Sequence, residues 1–274
     1  MDELKHYSEI KNFKKKILEN LLYGAYCGGS SSAHIGGALS SVDIIAVLFN
    51  KYLNLSPKNV DKKNRNHFIL SKGHACLVYY AALCELGFFE KEEFKKFEKT
   101  DSFLLGHPIK KTKYGIDFST GSLGMGISLG VGISLALKKM NSKNNVYVLM
   151  GDGECNEGSV WEGAMMAAAQ SLNNLTVIID YNKWQATGRS DEVLHLAPLA
   201  KKWRAFGWDA HEANGHDIDE ISALLSSSSD RPRAIIAHTV KGKGVSFMED
   251  DNNWHYRIPS ADEVDVAFSE LGLS

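Results

Sequence analysis

Val146-Tyr-Val-Leu-Met150 places five apolar or aromatic residues in a row, and Gly151-Asp152-Gly153 follows at once. A run that short and that apolar is a buried strand, because a helix needs roughly ten residues or more. The flexible Gly-Asp-Gly turn ends it with a single carboxylate. From Glu157 a helical pattern begins, with Trp161, Ala164, Met165 and Ala168 spaced by three and four. A second apolar strand, Leu175 to Ile179, then ends in Asp180-Tyr181-Asn182. Strand, helix and strand in this order make a βαβ unit, whose strands are parallel and whose carboxyl ends share one sheet edge.

That edge is where open α/β sheets bind ligands. It brings Asp152 and Asn182 close in space although they are distant in sequence. A carboxylate, an amide oxygen and a nearby carbonyl suit a hard cation such as Mg²⁺, which completes its octahedron with phosphate oxygens and water. The glycines beside Asp152 let backbone N–H groups approach a diphosphate, and a following helix N-terminus favours the anion. An Asp-Gly turn and a strand-ending Asn are also common structural punctuation. Gly-Asp-Gly alone favours that plain reading; its ordered combination with Asn182 favours the ligand site.

This arrangement resembles the signature of thiamine-diphosphate enzymes. From about residue 10 onward the chain is similar to the N-terminal, diphosphate-binding half of a transketolase. The resemblance implies that thiamine diphosphate and Mg²⁺ (or another divalent cation such as Ca²⁺ or Mn²⁺) are the cofactors. It implies that Asp152, Asn182 and the backbone carbonyl of Trp184 hold the metal, and that Gly151, Gly153 and Glu154 belong to the coenzyme pocket. A Gly-x-Leu-Gly stretch touches the aminopyrimidine in transketolases, which assigns Gly121 and Leu123 to the coenzyme. As a dinucleotide fingerprint, Gly121-Ser-Leu-Gly-Met-Gly126 has the wrong spacing and no preceding strand.

Of ten histidines, four sit among small residues or in loops: His34, His74, His107 and His255. One such histidine is ordinarily a structural hydrogen bonder. Each of these four matches a transketolase position. The resemblance implies that His74 lies beside the coenzyme, that His34 and His107 face the sugar, and that His255 lies near both coenzyme diphosphate and substrate. Bases that titrate near neutrality suit a reaction in which a donor hydroxyl loses a proton and an acceptor aldehyde gains one. His34, His107 and His255 are therefore the catalytic candidates, and the other six histidines read as structural or surface residues. Glu157 has two readings of equal weight: a first-turn carboxylate favoured by the helix dipole, or, by the resemblance, a subunit-interface residue linking two active sites.

At 274 residues and 44% hydrophobic composition, the chain is long enough for one large α/β domain over residues 1–274. A net charge of −2 gives no reason to invoke nucleic acid or an anionic membrane. No apolar run spans a bilayer and the N-terminus has no signal core. Cys27, Cys76, Cys84 and Cys155 show no metal or redox spacing, consistent with free thiols and a cytoplasmic setting.

The remaining pattern predicts a helix over residues 4–27, whose lysine cluster Lys11 and Lys14–Lys16 is a solvated face, and a break at Gly28–Ser32. A helix follows at Val42–Phe49, capped by Ser40 or Ser41, and a polar loop at Ser56–Asn66. His67–Leu70 is a strand and Cys76–Leu86 a helix; Glu90–Lys99 is a charged helix with Phe94 and Phe97 inward. A Gly-rich helix runs to Leu137, with Gly130 and Gly132 at close-packing points. Beyond the βαβ unit come a helix at Leu199–Phe206, a strand at Trp208–Glu212, a helix at Ile218–Leu225 and a strand at Ala234–Ala237. The fold class is α/β: about five mostly parallel strands with helices on both faces.

In full-length transketolases the glutamate that activates the coenzyme lies in a second, pyrimidine-binding domain, and nothing in this sequence resembles that domain. The resemblance thus implies a separate C-terminal partner subunit, an α2β2 heterotetramer, and two-carbon ketol transfer from a ketose to an aldose. Ala33-His34-Ile35 replaces a common Gly-His-Pro, and Tyr256 and Arg257 follow His255 where a Gly is usual, so a specialised sugar stays open. So do three different functions: a 2-oxo-acid dehydrogenase α-subunit, a deoxyxylulose-phosphate synthase, and a non-catalytic binding module.

Overall fold

Five strands form one sheet: His67–Leu70 (β1), Val146–Gly151 (β2), Leu175–Tyr181 (β3), Asp209–Asn214 (β4) and Arg233–His238 (β5). Their order is β1-β2-β3-β5-β4, and every neighbouring pair is parallel. The computed structural model describes residues 2–28, 33–61 and 65–273, with side chains from Tyr7 onward. The break expected at Gly28–Ser32 lies, beyond Gly28, outside the described residues, as do residues 62–64 of the polar loop and the His6 side chain. Strand β2 is buried along its whole length, as a central parallel strand covered on both sides must be. Edge strand β4 buries only Ala210 and Ala213.

The chain's contacts sort into two compact units built from interleaved stretches. One takes Met1–Asp61, Gly73–Ser119 and Val240–Ser274; the other takes Lys62–Lys72 and Thr120–Thr239.

In the first unit, helix α1 (Asp2–Cys27) buries Ile10, Phe13, Ile17, Leu18, Leu21, Leu22 and Ala25, the stripe its periodicity predicts. Helices α2 (Ile35–Leu39), α3 (Val42–Val47) and α4 (Cys76–Glu85) follow, and α1 packs on α3 and α4. The lysine cluster is more than a solvated face. Lys14 reaches the buried Asp43 at 2.6 Å and Lys16 reaches Glu85 at 2.8 Å. Neither Ser40 nor Ser41 caps α3, because both hydroxyls donate back to the Gly37 carbonyl, at 3.0 and 3.1 Å. The last turn of the expected helix relaxes into a π-helical segment, Leu48–Tyr52. Phe94 and Phe97 are buried as predicted, but the expected helix is only a 3-10 segment, Lys91–Lys96, with Phe97 just past its end.

The second unit carries the sheet with α5 (Met125–Lys139), α6 (Gly158–Ala169), α7 (Ser190–Val193), α8 (Leu199–Ala205) and α9 (Ile218–Ser226). Helix α5 rests on β1, β2 and β3. Gly130 makes that approach possible, since a Cβ there would lie 2.7 Å from the Val148 side chain. Gly132 does not share this role; nothing lies within 4 Å of where its Cβ would be. On α6 the buried face is Val160, Gly163, Ala164 and Ala167, and Met165 points outward. The buried Trp203 and Trp208 rings, 4.8 Å apart, anchor α8 beside β4, and Trp208 Nε1 donates to the Ala164 carbonyl at 2.9 Å. Among the described residues no helix is long and apolar enough to cross a membrane.

Candidate functional site

Strand register sets the first cluster, which lies within the sheet-bearing unit. Gly151 pairs with Asp180, so Asp152 and Asn182 emerge from the carboxyl ends of adjacent strands, as the βαβ reading predicts. Both are buried. The Gly-Asp-Gly stretch is no simple turn: residues Asp152–Asn156 wind into a 3-10 segment before α6. One Asp152 oxygen accepts from the Gly153 N–H at 2.9 Å. The other accepts from the Lys183 N–H at 2.9 Å and the Ser190 hydroxyl at 2.8 Å. Lys183 adopts a left-handed backbone, φ 68°, at the point where the loop doubles back to make that contact.

Among the described residues, no lysine or arginine ion-pairs with Asp152. Burial pushes its carboxyl up to about 6, and the Ser190 hydrogen bond only partly offsets this. A carboxylate in that position lacks a counter-charge that a divalent cation supplies. Asn182 offers an amide oxygen alongside. That oxygen accepts the Trp184 N–H at 3.0 Å, which occupies one of its two lone pairs. Asp152 and Asn182 thus fit a hard cation.

Glu154 is also buried, and its carboxyl is raised by burial. Its oxygens accept from Gly151 N–H at 2.8 Å, Gly124 N–H at 2.9 Å and the Ser71 hydroxyl at 2.5 Å. It therefore ties the Gly-rich entry of α5 to the Gly-Asp-Gly stretch. Gly124 is left-handed, φ 78°, and a Cβ there would meet Ser159 Oγ at 2.6 Å. Gly121 (φ 142°) and Leu123, 41% exposed, precede it on the surface of this unit. Glu157 is exposed at the N-cap position of α6 and makes no capping bond with its side chain. Trp184 stacks its ring under the Arg189 guanidinium, 3.8 Å from the centroid.

The second cluster lies within the other unit and contains all four singled-out histidines. His34 is its hub: its ring lies 5.3 Å from His74, 6.0 Å from His107 and 5.2 Å from His255, and His74 to His255 is 5.8 Å. Local backbone contacts explain this convergence. His34 and Arg257 form a parallel bridge, with the Arg257 N–H on the Ala33 carbonyl. His74 sits in the 3-10 turn Gly73–Ala75 that starts α4. The loop carrying His107 is held by Cys76 Sγ on the Gly106 carbonyl and Tyr80 Oη on the Leu105 carbonyl.

Sequence reasoning missed the buried charges Lys72, Asp180 and Lys241 beside the two clusters. Lys72 and Asp180 form an ion pair inside the sheet-bearing unit. In the histidine unit, buried Lys241 donates to Asn252 Oδ1 at 2.7 Å and lies 2.9 Å from His255 Nδ1. The available signals were a lysine in Ser71-Lys-Gly-His after a strand end and another in Val240-Lys-Gly-Lys-Gly. Tyr256, 58% exposed, holds its ring 4.7 Å from His34. Arg257 is instead committed to Glu263 at 2.6 Å and lies over the Trp254 ring at 4.2 Å. Of the other histidines, His195, His211 and His238 face nearby acids, Asp191, Asp209 and Glu212.

A family model described as transketolase, thiamine diphosphate binding domain, matches residues 26–274. The chain belongs to the transketolase family, as a thiamine-diphosphate-binding chain of the transketolase N-terminal type. It is 39% identical over 267 residues to one subunit of an apulose-4-phosphate transketolase of Actinobacillus succinogenes, covering 97% of this chain and 96% of that one. It is 36% identical over 250 residues to a 6-deoxy-6-sulfo-D-fructose transketolase subunit of Clostridium sp. (strain MSTE9), covering 90% and 88% of the two chains. The crystal structure of transketolase from Campylobacter jejuni superposes with a TM-score of 0.87 at 27% identity. That alignment spans 96% of this chain and 43% of the longer one.

Proposed function

We propose that this chain is the cation- and diphosphate-binding subunit of a two-subunit transketolase, and that residues 1–274 work as one thiamine-diphosphate-binding domain. The observation that carries the proposal is the buried Asp152 carboxylate, unpaired with any lysine or arginine among the described residues, beside the Asn182 amide at adjacent strand ends. Asp152, Asn182 and the Trp184 carbonyl hold Mg²⁺ or a similar divalent cation. Gly151, Gly153, Glu154, Gly121 and Leu123 form the coenzyme's surroundings in the sheet-bearing unit, and His74 is the coenzyme contact assigned to the histidine-bearing unit. Thiamine diphosphate, when bound, supplies the nucleophilic carbon that carries the two-carbon unit.

The chain's own work is to place sugar and protons. His34, His107 and His255 hydrogen-bond the sugar hydroxyls; His34 and His107 take the proton from the donor's hydroxyl as its C2–C3 bond opens and return one to the acceptor aldehyde oxygen. The Lys241 ammonium can only donate, so the His255 nitrogen facing it is the unprotonated one. His255 then carries its proton on Nε2 and enters the site as a donor. The four imidazoles distinguish a sugar substrate from a 2-oxo acid, which has no row of hydroxyls to hold.

The partner is a separate pyrimidine-binding subunit, which supplies the coenzyme-activating glutamate; an α2β2 heterotetramer places each chain's Glu157 at the subunit contact. Two features support this reading. Relatives of nearly the same length are called subunits of transketolases, whereas the chain spans only 43% of the Campylobacter transketolase chain. Helices α5 and α6 pack together yet leave Leu123, Met125, Leu129, Met165 and Met166 between 38% and 53% exposed, an apolar grouping typical of a partner face. All four cysteines are free thiols, as suits a reducing cytoplasm.

Co-expression with the pyrimidine-binding subunit tests the proposal. The purified pair should transfer a ketol unit from a ketose to an aldose, should ignore pyruvate, and should lose the transfer in Asp152→Ala. Turnover by this chain alone, or turnover that survives Asp152→Ala, sinks it.

A further inference from the structure

An asparagine that serves a cation has a difficulty a carboxylate does not. Its two ends have nearly the same shape, and only one of them is an acceptor. With the NH2 group turned to the metal, the site repels what it should bind. Asn182 shows how this chain settles the choice. Its Nδ2 donates to Asp180 Oδ2 at 3.0 Å, and its Oδ1 accepts from the Trp184 N–H at 3.0 Å. Turning the amide over would set Oδ1 against the Asp180 carboxylate, acceptor to acceptor, and the NH2 against the Trp184 N–H, donor to donor. Both contacts enforce one orientation.

Asp180 enforces it only if its own carboxylate is fixed and ionised. Lys72 donates to one of its oxygens and Thr239 Oγ1 to the other. The three come from different strand ends of the same unit: Lys72 just after β1, Asp180 within β3 and Thr239 just after β5. Asp180 and Lys72 are fully buried and Thr239 nearly so. An ionised carboxylate has no donor to offer, so it can meet only the NH2 end of Asn182. A neutral group in its place would accept either end.

We propose that Asp180, clamped by Lys72 and Thr239, is a positioning residue that fixes the Asn182 amide with its carbonyl oxygen presented to the divalent cation. The inference rests on Asn182 being a cation ligand. It assigns Lys72 the task of holding Asp180 as an anion, with no role as a ligand. Residues that orient a metal ligand from behind typically change affinity by about 10- to 100-fold when altered.

The test is Mn²⁺ binding to the full chain in the presence of thiamine diphosphate, read as free Mn²⁺ by electron paramagnetic resonance. The variants are Asp180→Asn, Asn182→Ala, their combination, and Asp152→Ala. Asp180→Asn should loosen Mn²⁺ by about tenfold or more. It should cost nothing further in the Asn182→Ala background, because the effect passes through the amide. Wild-type affinity in Asp180→Asn, while Asn182→Ala and Asp152→Ala are weakened, overturns the proposal and leaves the cation site standing. An equal loss with and without Asn182 overturns it as well, since general damage to the fold behaves that way. If Asp152→Ala and Asn182→Ala both bind as wild type, the cation site itself is wrong, and the positioning role falls with it. Should Asp180→Asn fail to fold, Thr239→Val carries the same cycle: a loss of about two- to fivefold that vanishes in Asn182→Ala supports the clamp, and a loss in neither or in both refutes it.

Discussion

Lys241 Nζ lies 2.9 Å from His255 Nδ1, and both belong to the histidine-bearing unit. A buried ammonium selects the tautomer of the imidazole it touches. Lys241→Met removes that selection. We expect kcat of the reconstituted pair to fall by roughly 10²-fold and the ¹⁵N spectrum of His255 to move from the Nε2–H form to a tautomer mixture. An unchanged His255 spectrum would refute the assignment.

Asp152 gives a pH signature in the cation-free chain. Its ordinary value is 3.8 and burial raises it to about 6, so the folded state holds the proton more tightly than the unfolded one. Stability therefore falls as pH rises between these values, by up to about 3 kcal/mol. Asp152→Asn should be the more stable protein at pH 8 in chelator, with the gap closing near pH 4. Urea unfolding at both pH values measures this, and a variant less stable than wild type at pH 8 contradicts it.

Gly124 should not tolerate a side chain. Its φ of 78° and the 2.6 Å approach to Ser159 Oγ predict that Gly124→Ala costs roughly 1–3 kcal/mol, with part of the loss in the Glu154 bond to the Gly124 N–H. A melting temperature within error of wild type would show that the loop simply gives way.

Tyr256 stands against His34 where the resemblance would place a glycine, so under the proposed function it narrows the sugar end of the histidine cluster. Tyr256→Gly should change KM ratios among sugar substrates by about tenfold while leaving thiamine-diphosphate affinity as it was. A uniform change across all sugars would assign Tyr256 to folding instead of selectivity.

Met165 is 53% exposed on α6. Met165→Glu should weaken association with the pyrimidine-binding subunit by about tenfold or more, with no change in the chain's own melting temperature. Isothermal titration of the two subunits decides, and full affinity would move the partner face elsewhere.

The parts of this molecule that follow from periodicity and strand order were legible in the sequence. The apolar runs at Val146–Met150 and Leu175–Ile179 identified β2 and β3, and parallel pairing then required Asp152 and Asn182 to meet. The period of Trp161, Ala164, Met165 and Ala168 identified α6 as a helix but did not fix its buried face, which is Val160, Gly163, Ala164 and Ala167. Size and apolarity cannot tell a core methionine from an exposed one. Ser40 and Ser41 looked like caps, but a hydroxyl with a carbonyl one turn back donates to it instead. The four histidines stood out by their small-residue and loop contexts, but their convergence was legible only through family resemblance, since it depends on contacts such as Arg257 with Ala33 that no local pattern encodes. Lys72, Asp180 and Lys241 were hidden for a different reason. A charged residue is presumed solvated until its partners are known, and these partners lie far along the chain.

The interleaving of the two units has a practical consequence for anyone who wishes to dissect this chain. His34, His74 and His107 come from the first two stretches of their unit, and Lys241 and His255 from the last. A fragment cut after β5 would keep every strand and the Asp152–Asn182 pair while leaving the imidazole cluster without its fourth member. Conventional halving of the gene therefore yields no intact module, and a working minimal piece would have to be spliced from separate exon-like blocks joined by new loops.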